Sequence, residues 1–301
     1  MELIFRLHRR SDTDVIVSMI NREPLHLMNG IVAEEFEQGL DEPGERIRDN
    51  TFVVETEQTI VACFSLCFVK RDSHIAVYCY GTVDTDWRRR GIGTAMFHFI
   101  FSRLEKQAKQ ECIPIHFIHR AITLIPGETT LGIQLGMQEQ NSLEILRLNP
   151  LLELKDFSQA SGLLFRTPTV TDAQSWAEIY NDAFGGNRSV ESVVHEFQGT
   201  GFSPNLYIMC TDTAGEPMGI VLSILRGTQA RIPTVAVRRE YQKRGVGKAL
   251  LSLILQRLKA LGAEDVRLSV ESKNIAAKSL YHQYGFQQDY MRINYAAKFL
   301  P

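Results

Sequence analysis

Between positions 248 and 261 the apolar residues Leu250, Leu251, Ile254, Leu255, Leu258 and Leu261 recur at spacings of three and four. That spacing puts them on one face of a helix, which Gly262 ends. Shorter patterns flank it. Residues 206–211 and 219–225 read as strands around the turn Asp212-Thr213-Ala214-Gly215, a hairpin signal, and 231–237 and 266–270 read as further strands. A helix is expected over 173–184 behind the cap Thr171-Asp172, and a second over 274–284, closed by Gly285. The last strand of the chain is expected at 290–296. Helices and strands mixed in this order predict an α/β fold of the α+β kind, with a mixed sheet.

The pattern occurs twice. Ile4-Phe5-Arg6, Ser11-Asp12 and Ile20-Asn21 return as Leu164-Phe165-Arg166, Thr171-Asp172 and Tyr180-Asn181, always 160 residues on. Arg90-Gly91-Ile92-Gly93 matches Arg244-Gly245-Val246-Gly247 at an offset of 154, and Gly136-Met137 matches Gly285-Phe286 at 149. Landmarks in the same order, drifting by a few residues, indicate a duplicated fold with loop insertions. The expected domains are 1–150 and 163–301, joined by a linker at 151–162.

Composition narrows the class of protein. With 301 residues, 44% apolar and 23% charged, a disordered or fibrous chain is excluded. A net charge of −2 argues against a nucleic-acid binder that relies on a basic surface. The five cysteines include no CxxC pair, which suits reduced thiols in a cytoplasmic protein, and no apolar run reaches the ~18 residues that span a bilayer. His116-x-x-His119 lacks an evident third ligand, so no metal is expected.

The chemistry concentrates at Gln242-Lys243-Arg244-Gly245-Val246-Gly247-Lys248. Two glycines between a strand and a helix let the backbone approach a ligand, and the helix start supplies N–H groups and positive dipole. Three cations at the same place make this a seat for a pyrophosphate. It is neither a P-loop, since a hydroxyl residue and the magnesium spacing are missing, nor a GxGxxG dinucleotide turn.

Downstream lies Asn274-Ile275-Ala276-Ala277-Lys278-Ser279-Leu280-Tyr281-His282-Gln283-Tyr284-Gly285-Phe286. Here the sequence resembles the GNAT superfamily of N-acetyltransferases. Gln242, Gly245 and Gly247 fit its (Q/R)xxGx(G/A) signature, and Asn274, Ala277, Leu280, Tyr281, Gly285 and Phe286 fit NxxAxxLYxxxGF. The resemblance implies two tandem GNAT (acyl-CoA N-acyltransferase) folds and acetyl-CoA as cosubstrate. It implies that the backbone of Lys243, Arg244, Gly245, Val246, Gly247 and Lys248 holds the CoA pyrophosphate. Val235, Ala236 and Val237 would pair with the pantetheine arm, Asn274 would lie beside it, and Tyr281 would protonate the departing thiolate. A free thiol near pKa 8.5 and a phenol near 10 are close enough for that proton transfer. Tyr284, on the same helix, has equal access to a core aromatic role.

The first copy matches the phosphate signature through Arg88, Arg89, Arg90, Gly91, Ile92, Gly93 and Thr94, with Val83 on the preceding strand. The second signature fails there: the Asn position is Ile125 and the Tyr position is Gly132. This copy therefore either binds CoA or only shapes a site, and catalysis is expected in the second copy. One degenerate and one intact copy is similar to tandem GNAT enzymes of the mycothiol synthase type, in which the C-terminal half is catalytic. Where some GNAT relatives carry a basic Glu, this chain has Arg231 and Ser269, so Glu240, Glu271, Asp182, a water chain or a carboxylate from the other copy stay open as the base. The expected activity is acetyl transfer to a primary amine of a small molecule or peptide, by a monomer with two pseudo-equivalent domains and no nucleic-acid or membrane partner. The alternative is a CoA-binding regulatory protein without turnover; transfer of a longer acyl group also stays open.

Overall fold

The chain forms two compact units, and the six strands of each repeat one order and one pattern of pairing. The computed structural model describes residues 1–25, 29–151 and 162–301. The elements of the first half are β1 (Ile4–Leu7), α1 (Thr13–Asn21), α2 (Ala33–Leu40), β2 (Thr51–Thr56), β3 (Thr59–Lys70), β4 (Ile75–Val83), α3 (Ile92–Glu111), β5 (Ile115–Ile122), α4 (Glu128–Gln134) and β6 (Gln138–Leu148). Those of the second half are β7 (Leu164–Arg166), α5 (Ala173–Phe184), α6 (Val190–Gln198), β8 (Tyr207–Thr211), β9 (Pro217–Arg226), β10 (Gln229–Val237), α7 (Val246–Ala260), β11 (Asp265–Glu271), α8 (Ile275–Gln283) and β12 (Gln287–Phe299).

The compact units do not follow the halves of the chain. The first unit comprises Met1–Ser142 with Met291–Pro301, and the second comprises Leu143–Tyr290. In the first, β1 to β5 lie in sequence order and Arg292–Phe299 of β12 pairs antiparallel with β5. In the second, β7 to β11 lie in sequence order and Leu143–Leu148 of β6 pairs antiparallel with β11. Each half of the sequence thus hands its last strand to the other half's sheet. The strand expected at 290–296 exists and is longer, yet its residues from Arg292 onward complete the first unit. Alternation identifies a strand; it does not identify the strand's partner. The expected linker 151–162 lies outside the described residues except for Leu151 and Gly162.

Within each unit one neighbouring pair of strands is parallel and the rest are antiparallel. β4 pairs with β5 over Ile75–Tyr78 but with β3 as far as Val83. β10 pairs with β11 over Gln229–Ile232 but with β9 as far as Val237, with a register shift between Arg231 and Thr234. Each parallel pair therefore parts midway, and the ends of β4 and β10 have a ladder partner on one side.

The helices obey their apolar pattern. α7 buries Leu250, Leu251, Ile254, Leu255 and Leu258 completely, each contributing roughly 1.5–3 kcal/mol. α5 runs over the expected residues, and α7 starts at Val246, two residues before the expected helix, because Gly245 at φ +85° ends the turn there. α6 was not legible from periodicity; Ser189 caps it by accepting from the Ser192 N–H.

Candidate functional site

In the second unit the end of β10 and the start of α7 meet at the glycine turn. Lys243 at φ +61° and Gly245 at φ +85° both adopt left-handed backbone. The Lys243 conformation costs on the order of 1 kcal/mol. The first bond inside α7 runs from Ala249 N–H to the Gly245 carbonyl, so the N–H groups of Val246, Gly247 and Lys248 precede the helix ladder. Gly247 stands against Val237, where a Cβ would lie 3.5 Å from a Val237 methyl. Arg244 stacks on Tyr241, its guanidinium 5.4 Å from the ring centroid.

Gln242 ties this turn to the strand: its side-chain N–H donates to the Val237 carbonyl at 3.1 Å. Asp182 of α5 accepts from the Arg239 N–H at 2.6 Å, so this candidate base holds the chain just ahead of the turn. Arg231 is partly buried and burial lowers its pKa; Ser269 and Glu271 are exposed on β11.

α8 completes the site. Asn274 caps it, its side-chain oxygen accepting from the Ala277 N–H at 3.0 Å. Its two tyrosines differ. Tyr284 donates its hydroxyl to the Lys248 carbonyl at 2.7 Å, fastening the end of α8 to the first turn of α7. Tyr281 is 8% exposed, and its hydroxyl makes no hydrogen bond among the described residues. Burial pushes its pKa up to about 12. Gln242 and Gly247 both stand against Val237, and α8 is pinned to Lys248; Val235 and Ala236 continue the open edge of β10.

The first unit repeats this geometry with other residues. Arg89 at φ +64° and Gly91 at φ +80° match Lys243 and Gly245, and the first bond of α3 runs from Ala95 to Gly91, leaving Ile92, Gly93 and Thr94 ahead of it. Arg88 takes the place of Gln242 by donating from Nε to the Val83 carbonyl at 3.1 Å. Its other edge pairs with Glu23 at 2.9 Å. Arg90 lies over the Trp87 ring and donates to the Asp86 carbonyl. Of the three successive arginines, Arg88 and Arg89 line the cavity behind the turn, and the Arg89 guanidinium lies against Gly127.

Behind this turn is a cavity of about 420 Å³, lined among others by Cys79, Trp87, Arg89, His119, Arg120 and Glu128. The Glu128 carboxylate accepts from the Ile122 N–H at 2.6 Å, and burial pushes its pKa up to about 7. His119 lies edge-on to Phe97 and bonds the Glu128 carbonyl; burial lowers its pKa to about 4. His116 instead stacks on His74, 4.0 Å between centroids, so the two histidines of His116-x-x-His119 do not converge. The position of Tyr281 is filled by Gly132, where a Cβ would lie 2.9 Å from the Tyr295 ring. No side chain fits there unless the ring moves.

Motif spacing did not mark Glu128 or Arg120. The offset of 149 that aligns Gly136 with Gly285 sets Arg120 opposite Ser269 and Glu128 opposite Ala277, and only that comparison signals them.

This architecture, a parting parallel pair with a glycine turn behind one strand, present twice, is the tandem GNAT fold. Residues 173–286, all within the second unit, match the Acetyltransferase (GNAT) family, and with the relatives that follow this makes the chain an acyltransferase of the GNAT type with tandem domains. The chain is 26% identical over 221 residues to mycothiol acetyltransferase of Clavibacter michiganensis subsp. michiganensis, covering 71% of this chain and 70% of that one. Among solved structures, a GCN5-related N-acetyltransferase from Sphaerobacter thermophilus superposes with a TM-score of 0.72 at 19% identity, over 99% of this chain and 96% of that one. A tandem GNAT protein from the clavulanic acid biosynthesis pathway also gives 0.72, at 15% identity over 100% of this chain and 99% of that one. At those identities the structures establish the fold alone. No helix among the described residues is long and apolar enough to cross a membrane.

Proposed function

We propose that the chain transfers an acetyl group from acetyl-CoA to a primary amine of a small molecule or peptide, and that the chemistry belongs to the second unit. The observation that carries this is the pair of tyrosines on α8. Tyr284 is committed to Lys248, whereas Tyr281 keeps its hydroxyl unspent.

The residues support the cosubstrate. Lys243 and Gly245 turn the backbone so that the N–H groups of Val246, Gly247 and Lys248 and the positive end of α7 serve a pyrophosphate, with Arg244 beside them. Val235, Ala236 and Val237 offer a strand edge to the pantetheine amides, and Asn274 holds the start of α8. In the reaction the amine nitrogen attacks the thioester carbon. The nitrogen of the tetrahedral intermediate gives its extra proton to solvent, the intermediate collapses with loss of thiolate, and Tyr281 donates its proton to the sulfur and regains one from water. A pKa of about 12 keeps that proton in place until the thiolate develops. The dry surroundings that raise the phenol also raise the departing thiol, so the two remain matched.

The second reading, a CoA-responsive binding protein without turnover, is favoured by Arg231 and Ser269 where a basic Glu would serve. Release of CoA from acetyl-CoA, followed across amino sugars, polyamines, peptide termini and thiol-bearing amines, decides between them; the name of the Clavibacter relative puts the last class in the panel. Turnover with one amine class is expected. Tight binding with no CoA release on any amine would replace the transferase reading with the regulatory one.

A further inference from the structure

Arg120 of the first unit lines the cavity behind the first glycine turn, and its guanidinium lies 4.5 Å from the Tyr78 ring centroid and 4.8 Å from that of Tyr80. It makes no ion pair among the described residues. A partly buried guanidinium without a carboxylate is poorly compensated; stacking on two aromatic faces and a side-chain hydrogen bond to Tyr80 offset part of the desolvation and leave its remaining N–H groups for a planar anion. The nearby acids are engaged elsewhere. Glu128 accepts from the Ile122 N–H, and Glu45 accepts from the Cys67 thiol at 2.7 Å. The second unit has Ser269 at the equivalent place, so this charge is peculiar to the first. Gly132, pressed against Tyr295, removes the phenol that transfer would need.

We propose that the cleft of the first unit binds a carboxylate on Arg120, as the terminal carboxylate of an acyl group carried by CoA, and holds that thioester without transferring it. The chemical class is a CoA thioester of a short dicarboxylic acid. The proposal rests on reading the turn at 89–94 as a seat for the CoA phosphates. It gives the degenerate copy a ligand of its own, distinct from the acetyl donor of the second unit.

Trp87 lines the same cavity, whereas the other of the chain's two tryptophans, Trp176, is fully buried in the second unit. Its emission can therefore be titrated with succinyl-CoA, acetyl-CoA and succinate, with Trp87→Phe identifying the source of the signal. Succinyl-CoA is expected to bind about tenfold or more tighter than acetyl-CoA, the ratio for one added charge-assisted hydrogen-bonded pair. Arg120→Met should bring the two thioesters to parity with the acetyl-CoA affinity unchanged, and Arg120→Lys, which keeps the charge, should retain part of the preference. A response to succinate alone, lost in Arg120→Met, would support the carboxylate site while assigning it to a free acid. Equal affinities in the parent protein would overturn the proposal and leave the phosphate seat standing. No response of Trp87 to any of the three ligands would overturn both.

Discussion

The Tyr284 hydroxyl lies 2.7 Å from the Lys248 carbonyl oxygen and donates to it, binding the last turn of α8 to the first turn of α7. Both helices that border the proposed cosubstrate site are thus fastened to each other by this side chain, and Tyr281 is left with its hydroxyl uncommitted. Tyr284→Phe should cost about 1 kcal/mol of stability in denaturant unfolding, through the lost hydrogen bond between α8 and α7. Tyr281→Phe should stay within about 0.5 kcal/mol of the parent. Equal losses in the two variants would contradict the division of roles.

The left-handed glycines of the two turns make a matched test. Gly245 and Gly91 sit at φ +85° and +80°, and a Cβ at either would meet nothing within 4 Å. Alanine there introduces backbone strain without a clash. Gly245→Ala and Gly91→Ala should each lose roughly 1–2 kcal/mol in thermal unfolding. A much larger loss in either would mean that the turn is packed more tightly than the structure shows.

The strand exchange predicts which fragments fold. A fragment of residues 143–290 keeps Leu143–Leu148 beside β11, including Leu146, which is fully buried. A fragment of 163–301 lacks that strand and carries Met291–Pro301 without its partner β5. The first should unfold cooperatively in denaturant, and the second should not. Cooperative unfolding of 163–301 would contradict the exchange.

Glu128 makes stability depend on pH. Its pKa is about 7 in the folded chain against an ordinary 4.5. Between those values the unfolded carboxyl has lost its proton while the folded one retains it, so its contribution falls as pH rises through that window and is absent above pH 7. Glu128→Gln keeps an acceptor for the Ile122 N–H and removes the slope. Its gain over the parent should be nil at pH 4 and reach at most about 3 kcal/mol by pH 8. The opposing effect of His119, with its pKa lowered to about 4, is common to both proteins and cancels in the comparison. A constant difference across this range would refute the assignment.

Local chemistry was readable in the sequence wherever it obeyed a local rule. The leucines of α7, the Asn274 cap and the glycine turn carry their signatures within a few residues, and each appears where periodicity or capping places it. The exchange of β6 and β12 depends on which distant edge a strand meets, and alternation carries no such information. Arg88 illustrates the same limit. As one of three successive arginines it reads as a phosphate ligand, yet Glu23, 65 positions away, pairs with one edge of its guanidinium. Arg120 and Glu128 belong to no motif and acquire meaning only when β4 and β5 part around them.

The most direct test of the account is the steady-state release of CoA by Tyr281→Phe with the best amine found, set beside its affinity for acetyl-CoA. If Tyr281 protonates the thiolate in the second unit, kcat should fall by a factor on the order of 100 or more while acetyl-CoA binding stays within about twofold of the parent. Unchanged kcat would contradict the assignment of the chemistry to Tyr281.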